Sequence, residues 1–346
     1  MNELKIGVIG LGIGRMHIER YLKHPAAKVV ACADLNKERV DRNATEFGLT
    51  GYAEAEEMLA KEKLDIVSVC TPNKFHKELT IKALQSGAHV LCEKPMAMSA
   101  AEAREMLLAA KEAKKRVGIN FSYRFSDQSW ALKSIVDEGI LGDIYFGRTV
   151  WHRRRGMPGF GGWFGQKALS GGGPLIDLGV HRLDLALWLM GYPKPKWVMG
   201  SAYNPIATEL AARQGVTFDV EDLAAGMIRF ENGATLMIEA SWAANIKELE
   251  HMETRLLGTK AGLVQRNVGE GYNFEAEIYL ERAGANYDMK LHPPVAAAQS
   301  AQWYFVDALL NDYPFIATGE QGLVVQELLD AIYTSSVTGA PVEIGA

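Results

Sequence analysis

The sequence predicts a two-domain protein: an α/β domain with a parallel sheet over residues 1–122, followed by an α+β domain with a mostly antiparallel sheet over residues 123–346. Three observations predict it. The chain has 346 residues, 48% of them hydrophobic, which is more than one core commonly holds. Up to Asn120, short apolar runs without alternation are separated by helical periodicity, the pattern of a parallel sheet covered on both faces. Beyond Asn120 the apolar runs alternate and are joined by turns such as Glu231-Asn232-Gly233, a hairpin signal that implies antiparallel pairing.

In the first half, residues 4–9 read as a buried strand that runs into Gly10-Leu11-Gly12-Ile13-Gly14 and then into a helix through Leu22. Strand, glycine turn and helix bring backbone N–H groups and a helix N-terminus toward a pyrophosphate, so Gly10, Gly12, Ile13 and Gly14 are expected to contact a dinucleotide. The turn is one residue shorter than the common GxGxxG spacing. A second strand, 28–33, ends at Asp34, 20 residues beyond Gly14. A carboxylate there holds the ribose hydroxyls of an adenosine and repels a 2′-phosphate, which predicts NAD rather than NADP. Strands at 64–70 and 88–92 lead to helices at 75–86 and 99–115, the latter opened by a Ser99/Glu102 capping box, and a strand at 116–120 completes the set. Ligands of such sheets bind at the carboxyl ends of the strands. That rule places Thr71, Pro72, Asn73, His76, Glu93 and Lys94 beside the cofactor.

In the second half, a helix at 127–138 precedes an alternating strand at 144–152 that runs into His152-Arg153-Arg154-Arg155. A glycine-rich loop at 156–173 contains Trp163, and a loop of that length in a compact protein is usually functional. Next comes Ser-Gly-Gly-Gly-Pro at 170–174, a flexible entry to an apolar helix on which Asp177, His181 and Asp184 share one face. Strands follow at 196–203, 221–230, 234–243, 252–257, 262–267 and 274–281, then helices at 298–311 and 319–337.

Composition excludes several classes of function. A net charge of -5 disfavours nucleic acid or anionic membrane as a partner. No run approaches the roughly 18 apolar residues of a membrane span. Cys32, Cys70 and Cys92 form no CxxC pair and read as buried thiols of a reducing compartment, so a cytoplasmic location is expected. No metal-ligand set is visible, since His181 has only Asp177 and Asp184 near it.

A carboxylate and an imidazole one turn apart on an apolar helix would cost about 2 to 7 kcal/mol to bury unpaired, so they satisfy each other or face a cleft. The residue types suit hydride chemistry on a secondary alcohol. His181 can take the hydroxyl proton, Asp177 can hold its tautomer, and the Lys94 ammonium can stabilise the developing alkoxide. Tyr123, Arg124, His152, Arg154 and Trp163 are further candidates for contacting substrate.

Taken together, Gly10-x-Gly12-x-Gly14 with His17, Asp34, Thr71-Pro72-Asn73 with His76, Glu93-Lys94-Pro95 and Asp177-Leu-Gly-Val-His181 resemble the glucose-fructose oxidoreductase, inositol dehydrogenase and rhizopine catabolism (Gfo/Idh/MocA) family. The resemblance spans essentially the whole chain. It implies a Rossmann domain followed by a large open-faced sheet domain, with Lys94 and His181 as the catalytic pair and Asp177 positioning the histidine or the substrate. It implies an NAD-dependent dehydrogenase oxidising a secondary hydroxyl of a sugar, sugar derivative or cyclitol. NADP-linked reduction of a keto-sugar, glycoside cleavage through a 3-keto intermediate with cycling NAD, and a non-catalytic sugar sensor are the alternatives. An uncovered sheet face further predicts a homodimer or homotetramer through that sheet.

Overall fold

The computed structural model describes residues 3–292 and 298–345. By its contacts the chain divides into two compact units, Met1–Phe121 with Gln299–Gln326 and Ser122–Ala298 with Glu327–Ala346.

In the first unit, β1 (Leu4–Ile9), α1 (Gly14–Tyr21), β2 (Ala27–Ala33), α2 (Lys37–Phe47), β3 (Thr50–Tyr52), α3 (Ala55–Lys61), β4 (Ile66–Val69), α4 (His76–Gln85), β5 (His89–Cys92), α5 (Ala100–Ala113) and β6 (Val117–Ile119) alternate along the chain. Six parallel strands pair in the order β3-β2-β1-β4-β5-β6, the doubly wound Rossmann order, whose topological switch point lies between β1 and β4. The central strands carry the core: Ile6, Val8, Ile66, Val67, Val90 and Leu91 are fully buried. Ser99 caps α5 by accepting from the Glu102 amide at 3.3 Å, as predicted, but the Glu102 carboxylate accepts from the Met98 amide at 3.2 Å, one residue before the Ser99 amide that a capping box uses. The sequence pattern does not announce β3, α2 or α3; β3 is only three residues long and α2 is mostly polar, so neither has a strong apolar run.

His89, at the head of β5, accepts the Arg116 amide through Nδ1 at 3.0 Å, which requires a neutral ring. Burial, then the Lys115 and Arg116 cations, lower its pKa to about 4. Because the unfolded chain binds this proton near pH 6.5 and the folded chain only near 4, stability is expected to rise with pH across that window. Thermal melts from pH 7 to 4 should show the loss on acidification, and His89→Gln should reduce the pH dependence between 6.5 and 4.

The second unit contains α6 (Asp127–Asp137), β7 (Ile144–Arg153), α7 (Lys167–Ser170), α8 (Val180–Leu189), β8 (Pro195–Tyr203), α9 (Pro205–Gln214), β9 (Leu223–Phe230), β10 (Thr235–Ser241), β11 (Glu250–Gly258), β12 (Ala261–Asn267), β13 (Phe274–Arg282) and β14 (Ala285–Lys290). After these come α10 (Ala301–Leu310), α11 (Gly319–Thr338) and β15 (Val342–Glu343). Nine strands form one sheet in the order β14-β13-β12-β11-β7-β10-β9-β8-β15, antiparallel except where β10 runs parallel to β7. Alternation sets the two faces. Leu236, Ile238 and Ala240 of β10 and Ala224 and Ile228 of β9 are buried with Thr149, Trp151, Met252 and Leu256. The opposite face carries Met199, Met227 and Met237 as register neighbours on β8, β9 and β10, with Arg148, Glu239 and Glu253 beyond them.

Residues 299–326 belong to the first unit, whereas the sequence places everything beyond 122 in the second. The reason is packing: Phe305 and Phe315 stack edge to face at 5.1 Å and close over Gly118, where a Cβ would meet the Phe315 ring at 2.7 Å. The division falls inside α11, whose later residues serve the second sheet, as Ser335 and Ser336 accept the amides of Gly200 and Ala202.

Candidate functional site

In the first unit the predicted residues gather at the carboxyl ends of the strands. Gly10 has φ +86°, and a Cβ there would lie 2.6 Å from the Cys70 carbonyl, so the turn closes against β4 and admits only glycine. A Cβ on Gly14 would meet Val8 at 2.9 Å, whereas the nearest neighbour to a Cβ at Gly12 is an Arg39 nitrogen at 3.8 Å, which leaves space for a ligand. Asp34 Oδ2 accepts from the Leu11 amide at 2.6 Å and Oδ1 from Asn36 at 2.8 Å, fixing the carboxylate at the glycine turn. The Arg39 guanidinium stands 3.7 Å from it. Thr71 Oγ1 and Asn120 Oδ1 are buried with no hydrogen-bond partner among the described residues, as expected of groups reserved for a ligand. The glycine cradle, the α1 N-terminus, the Asp34 carboxylate and these two open polar atoms fit a dinucleotide.

His17 and His76 are both buried and act through the protein. His76 lies between the Pro95 and Thr71 carbonyls, 2.8 Å from each, and ties the Thr71-Pro72-Asn73 turn to the Glu93-Lys94-Pro95 turn. Its pKa is lowered by burial, against the pull of the two carbonyls. His17 Nε2 lies 2.8 Å from Glu93 Oε1 and Nδ1 3.1 Å from Ser68, which also meets the Tyr21 hydroxyl. Asn120 donates to the same Glu93 oxygen at 2.5 Å, and the Lys94 amide to the other at 3.2 Å. Burial opposes ionisation of Glu93, but His17, Asn120 and Lys94 outweigh it and bring its pKa down to about 2. Lys94 is thus mounted on a permanently anionic, fully bonded platform.

In the second unit the Ser170–Pro174 entry is shaped by Glu221. Its carboxylate accepts from the amides of Gly173 at 2.8 Å and Leu175 at 3.1 Å and from the Tyr333 hydroxyl at 2.7 Å. A Cβ on Gly172 would strike the Tyr333 hydroxyl at 2.2 Å and one on Gly173 the Glu221 carbonyl at 2.1 Å, so the glycines are required by close approach. The chain then makes a π-helical turn, Leu175–Gly179, before α8 begins. Such turns often accompany functional residues, and this one carries Asp177. The Trp242 indole N–H donates to Asp177 Oδ2 at 3.1 Å. His181 follows in α8, half-buried, its ring 5.0 Å from Tyr123 and 5.9 Å from Trp151. The wall continues through Phe274 and Tyr272, 5.8 Å from Tyr123 and 6.1 Å from Trp151.

Behind that wall Arg182 is fully buried, its guanidinium over the rings of Tyr123 and Phe274 at 5.2 and 5.0 Å and bonded to Gln265 at 3.0 Å. Burial lowers its pKa to about 10, so it remains cationic at neutral pH.

Several predicted substrate residues lie elsewhere. Arg124 is fully buried and grips Asp184 through Nε at 2.9 Å and Nη2 at 2.5 Å, with Tyr192 completing the cluster, so both charges serve the fold. His152 and Arg154 alternate onto the face of the sheet opposite Trp151: His152 faces Glu239 at 3.5 Å and Arg154 reaches the Lys247 carbonyl at 3.4 Å. Their neighbours Trp151 and Arg153 turn toward His181's side instead, a parity that a run of basic residues does not reveal. Trp163 stacks on Phe164 at 3.9 Å, and Phe164 meets Trp242, which keeps Trp163 at the margin of the aromatic cluster. Trp242 and Glu250 were missed, because nothing in their local sequence marks them; Arg153 belongs to the basic run that the sequence singles out, but its neighbours His152 and Arg154 were named from that run instead. Among the described residues no group of three or more His, Cys, Asp or Glu side chains is arranged to hold a metal, and no helix is long and apolar enough to cross a membrane.

Comparison with known proteins places these features in a lineage. Residues 4–121 match the family model described as oxidoreductase family, NAD-binding Rossmann fold, and residues 130–264 match the GFO/IDH/MocA C-terminal domain. The chain is 35% identical over 355 aligned positions to D-glucoside 3-dehydrogenase of Escherichia coli (strain K12), covering 99% of this chain and 98% of that one. It is 28% identical to 1,5-anhydro-D-fructose reductase of Ensifer adhaerens, covering 98% of each. The crystal structure of GenD2 from gentamicin A biosynthesis, in complex with NAD, superimposes with a TM-score of 0.82 at 26% identity, covering 100% of this chain and 97% of that one.

Proposed function

Because the chain belongs to the Gfo/Idh/MocA family of oxidoreductases and carries its NAD-binding Rossmann domain, we propose that it oxidises a secondary hydroxyl of a sugar, sugar derivative or cyclitol to the ketone, reversibly, with NAD as partner. The observation that carries the reading is His181, a half-buried imidazole set among Tyr123 and Trp151 one turn from the Asp177 carboxylate. The 35% identity to a D-glucoside 3-dehydrogenase over 99% of the chain supports a sugar as substrate.

Gly10, Gly12, Ile13 and Gly14 would hold the pyrophosphate of NAD, Asp34 the adenosine ribose, and Thr71, Asn73 and Asn120 would face the remainder. When bound, NAD supplies the acceptor for the hydride leaving the substrate carbon. His181 takes the hydroxyl proton as the C–O bond becomes a carbonyl, and returns it in the reverse direction. Asp177, oriented by Trp242, supports the imidazolium. Lys94, whose amide is bonded to the Glu93 carboxylate, stabilises the alkoxide.

Purified protein with NAD and a panel of sugars and polyols should form NADH with at least one of them, and NADP should be the poorer acceptor because Asp34 meets the 2′ position. No NADH with any member, or sugar released from a glycoside without net NADH, would reject the dehydrogenase reading in favour of a sensor or a glycoside-cleaving cycle. A faster reaction with NADP would assign the Arg39 guanidinium beside Asp34 to the extra phosphate.

The apolar half of the outer sheet face, with Met199 at 44% exposure beside Met227 and Met237, is the surface through which we expect a second copy to pair. Light scattering at micromolar concentration should give at least twice the mass of one chain; a monomer would remove the expectation. A cytoplasmic location accords with three free, buried cysteines.

A further inference from the structure

We propose that Glu250, gripped by Arg153 and by the Trp151 indole, is the carboxylate that reads a sugar hydroxyl next to the reacting carbon, and that the Glu250–Arg153 pair gives the enzyme its preference among glucosides. The inference rests on the dehydrogenase reading above.

Arg153 and Glu250 are register partners on β7 and β11, at the end of the strands where Trp151 packs against His181. Glu250 Oε1 accepts twice, from the Trp151 indole N–H at 2.7 Å and from Arg153 Nε at 2.8 Å. Its Oε2 has no partner among the described residues, although an ionised carboxylate offers about four acceptor positions. The Arg153 fork reaches on to the Tyr272 hydroxyl at 3.1 Å, and its remaining N–H groups have only a 3.5 Å contact to the Gly156 carbonyl. The two side chains are 24% and 14% exposed, neither sealed in the core nor loose in solvent.

A pair built only for stability would be saturated, as Arg124 and Asp184 are. This one is held rigidly on one side and left open on the other. A carboxylate oxygen beside a guanidinium matches a sugar hydroxyl, which donates to the first and accepts from the second, and a neighbouring hydroxyl extends the match to the free N–H groups. The pair also feels Asp177: burial lowers the Arg153 pKa, but Glu250, then Tyr272 and Asp177, outweigh it and raise it. Its field therefore overlaps that of the Asp177 and His181 turn. Trp151, 3% exposed, is too buried to stack on a sugar and serves to fix the carboxylate.

The test compares wild type with Glu250→Gln and Arg153→Lys, using NAD with methyl β-D-glucoside and its 2-, 4- and 6-deoxy derivatives. Loss of a hydrogen bond to a charged group is expected to raise KM for the parent glucoside about 10- to 100-fold in Glu250→Gln, with kcat within about twofold. One deoxy sugar should show that rise already in wild type and no further rise in the variant, the signature of a shared contact. Unchanged NAD binding and thermal midpoints exclude a folding defect as the cause. If Glu250→Gln raises KM equally for all four sugars, or leaves it unchanged, the proposal is overturned while the dehydrogenase reading stands. If wild type forms no NADH with methyl β-D-glucoside, the proposal falls, and the sugar and polyol panel decides separately whether the dehydrogenase reading falls with it.

Discussion

Lys94→Ala and His181→Ala are each expected to lower kcat/KM for the sugar by about 10²- to 10³-fold, with NAD binding unchanged. The direction follows from where charge develops. In the transition state the substrate oxygen gains negative charge as its proton leaves, so an ammonium facing it is worth more there than in the ground state. Removing the imidazole deletes the acceptor of that proton, and the acidic limb of the kcat/KM profile should disappear in His181→Ala. The double variant should lose much less than the product of the single losses, because both groups act on one event. Steady-state kinetics with NAD titrated separately by fluorescence check this; a variant within threefold of wild type would remove that residue from the chemistry. Glu93→Gln should mimic a milder form of the Lys94 defect, since the carboxylate that receives His17, Asn120 and the Lys94 amide would lose its charge.

Asp184→Ala is expected to cost about 3 to 5 kcal/mol of stability, because it leaves the Arg124 guanidinium buried without its counterion. Both side chains are fully buried, and burial pushes the Asp184 pKa up while Arg124 holds it back. Urea unfolding followed by tryptophan fluorescence should register the loss, since Trp188 lies under the same guanidinium at 5.9 Å. Replacing both partners together, as Arg124→Met with Asp184→Leu, should recover most of it, because the penalty belongs to the unpaired charge and not to the missing pair. An unaltered urea midpoint in Asp184→Ala would contradict this account.

Which features were legible from sequence follows from their range. The β1–Gly10–α1 unit, the Ser99 cap of α5 and the Asn232-Gly233 turn are local, and each formed where its spacing put it. The three residues of β3 are too few to show a pattern, and β14, although Ala285, Tyr287 and Met289 alternate along it, buries no face, so only pairing to a neighbour creates them. Side-chain direction was the harder problem. His152 and Arg154 looked like pocket residues, yet strand parity assigns that role to Trp151 and Arg153, and parity is set by which face the core claims. Arg124 reads as a substrate contact because it follows the Asn120 strand; its partner Asp184 is 60 positions away, and the two neutralise each other. Glu250 reaches Arg153 through sheet register and Trp242 reaches Asp177 from 65 positions away, neither of which a linear reading can count.

The return of residues 299–326 to the first unit makes that unit discontinuous in the gene. A chain cut after residue 122 would expose the bed on which Phe305 and Phe315 rest and would leave Arg116 without the carbonyls of Ala308 and Tyr313 that it caps. An excised nucleotide-binding module therefore needs a spliced tail. Carboxyl-terminal deletions that reach back into α10 strip this bed as well as the α11 residues that serve the second sheet, so truncation from one end is expected to unsettle both halves of the protein.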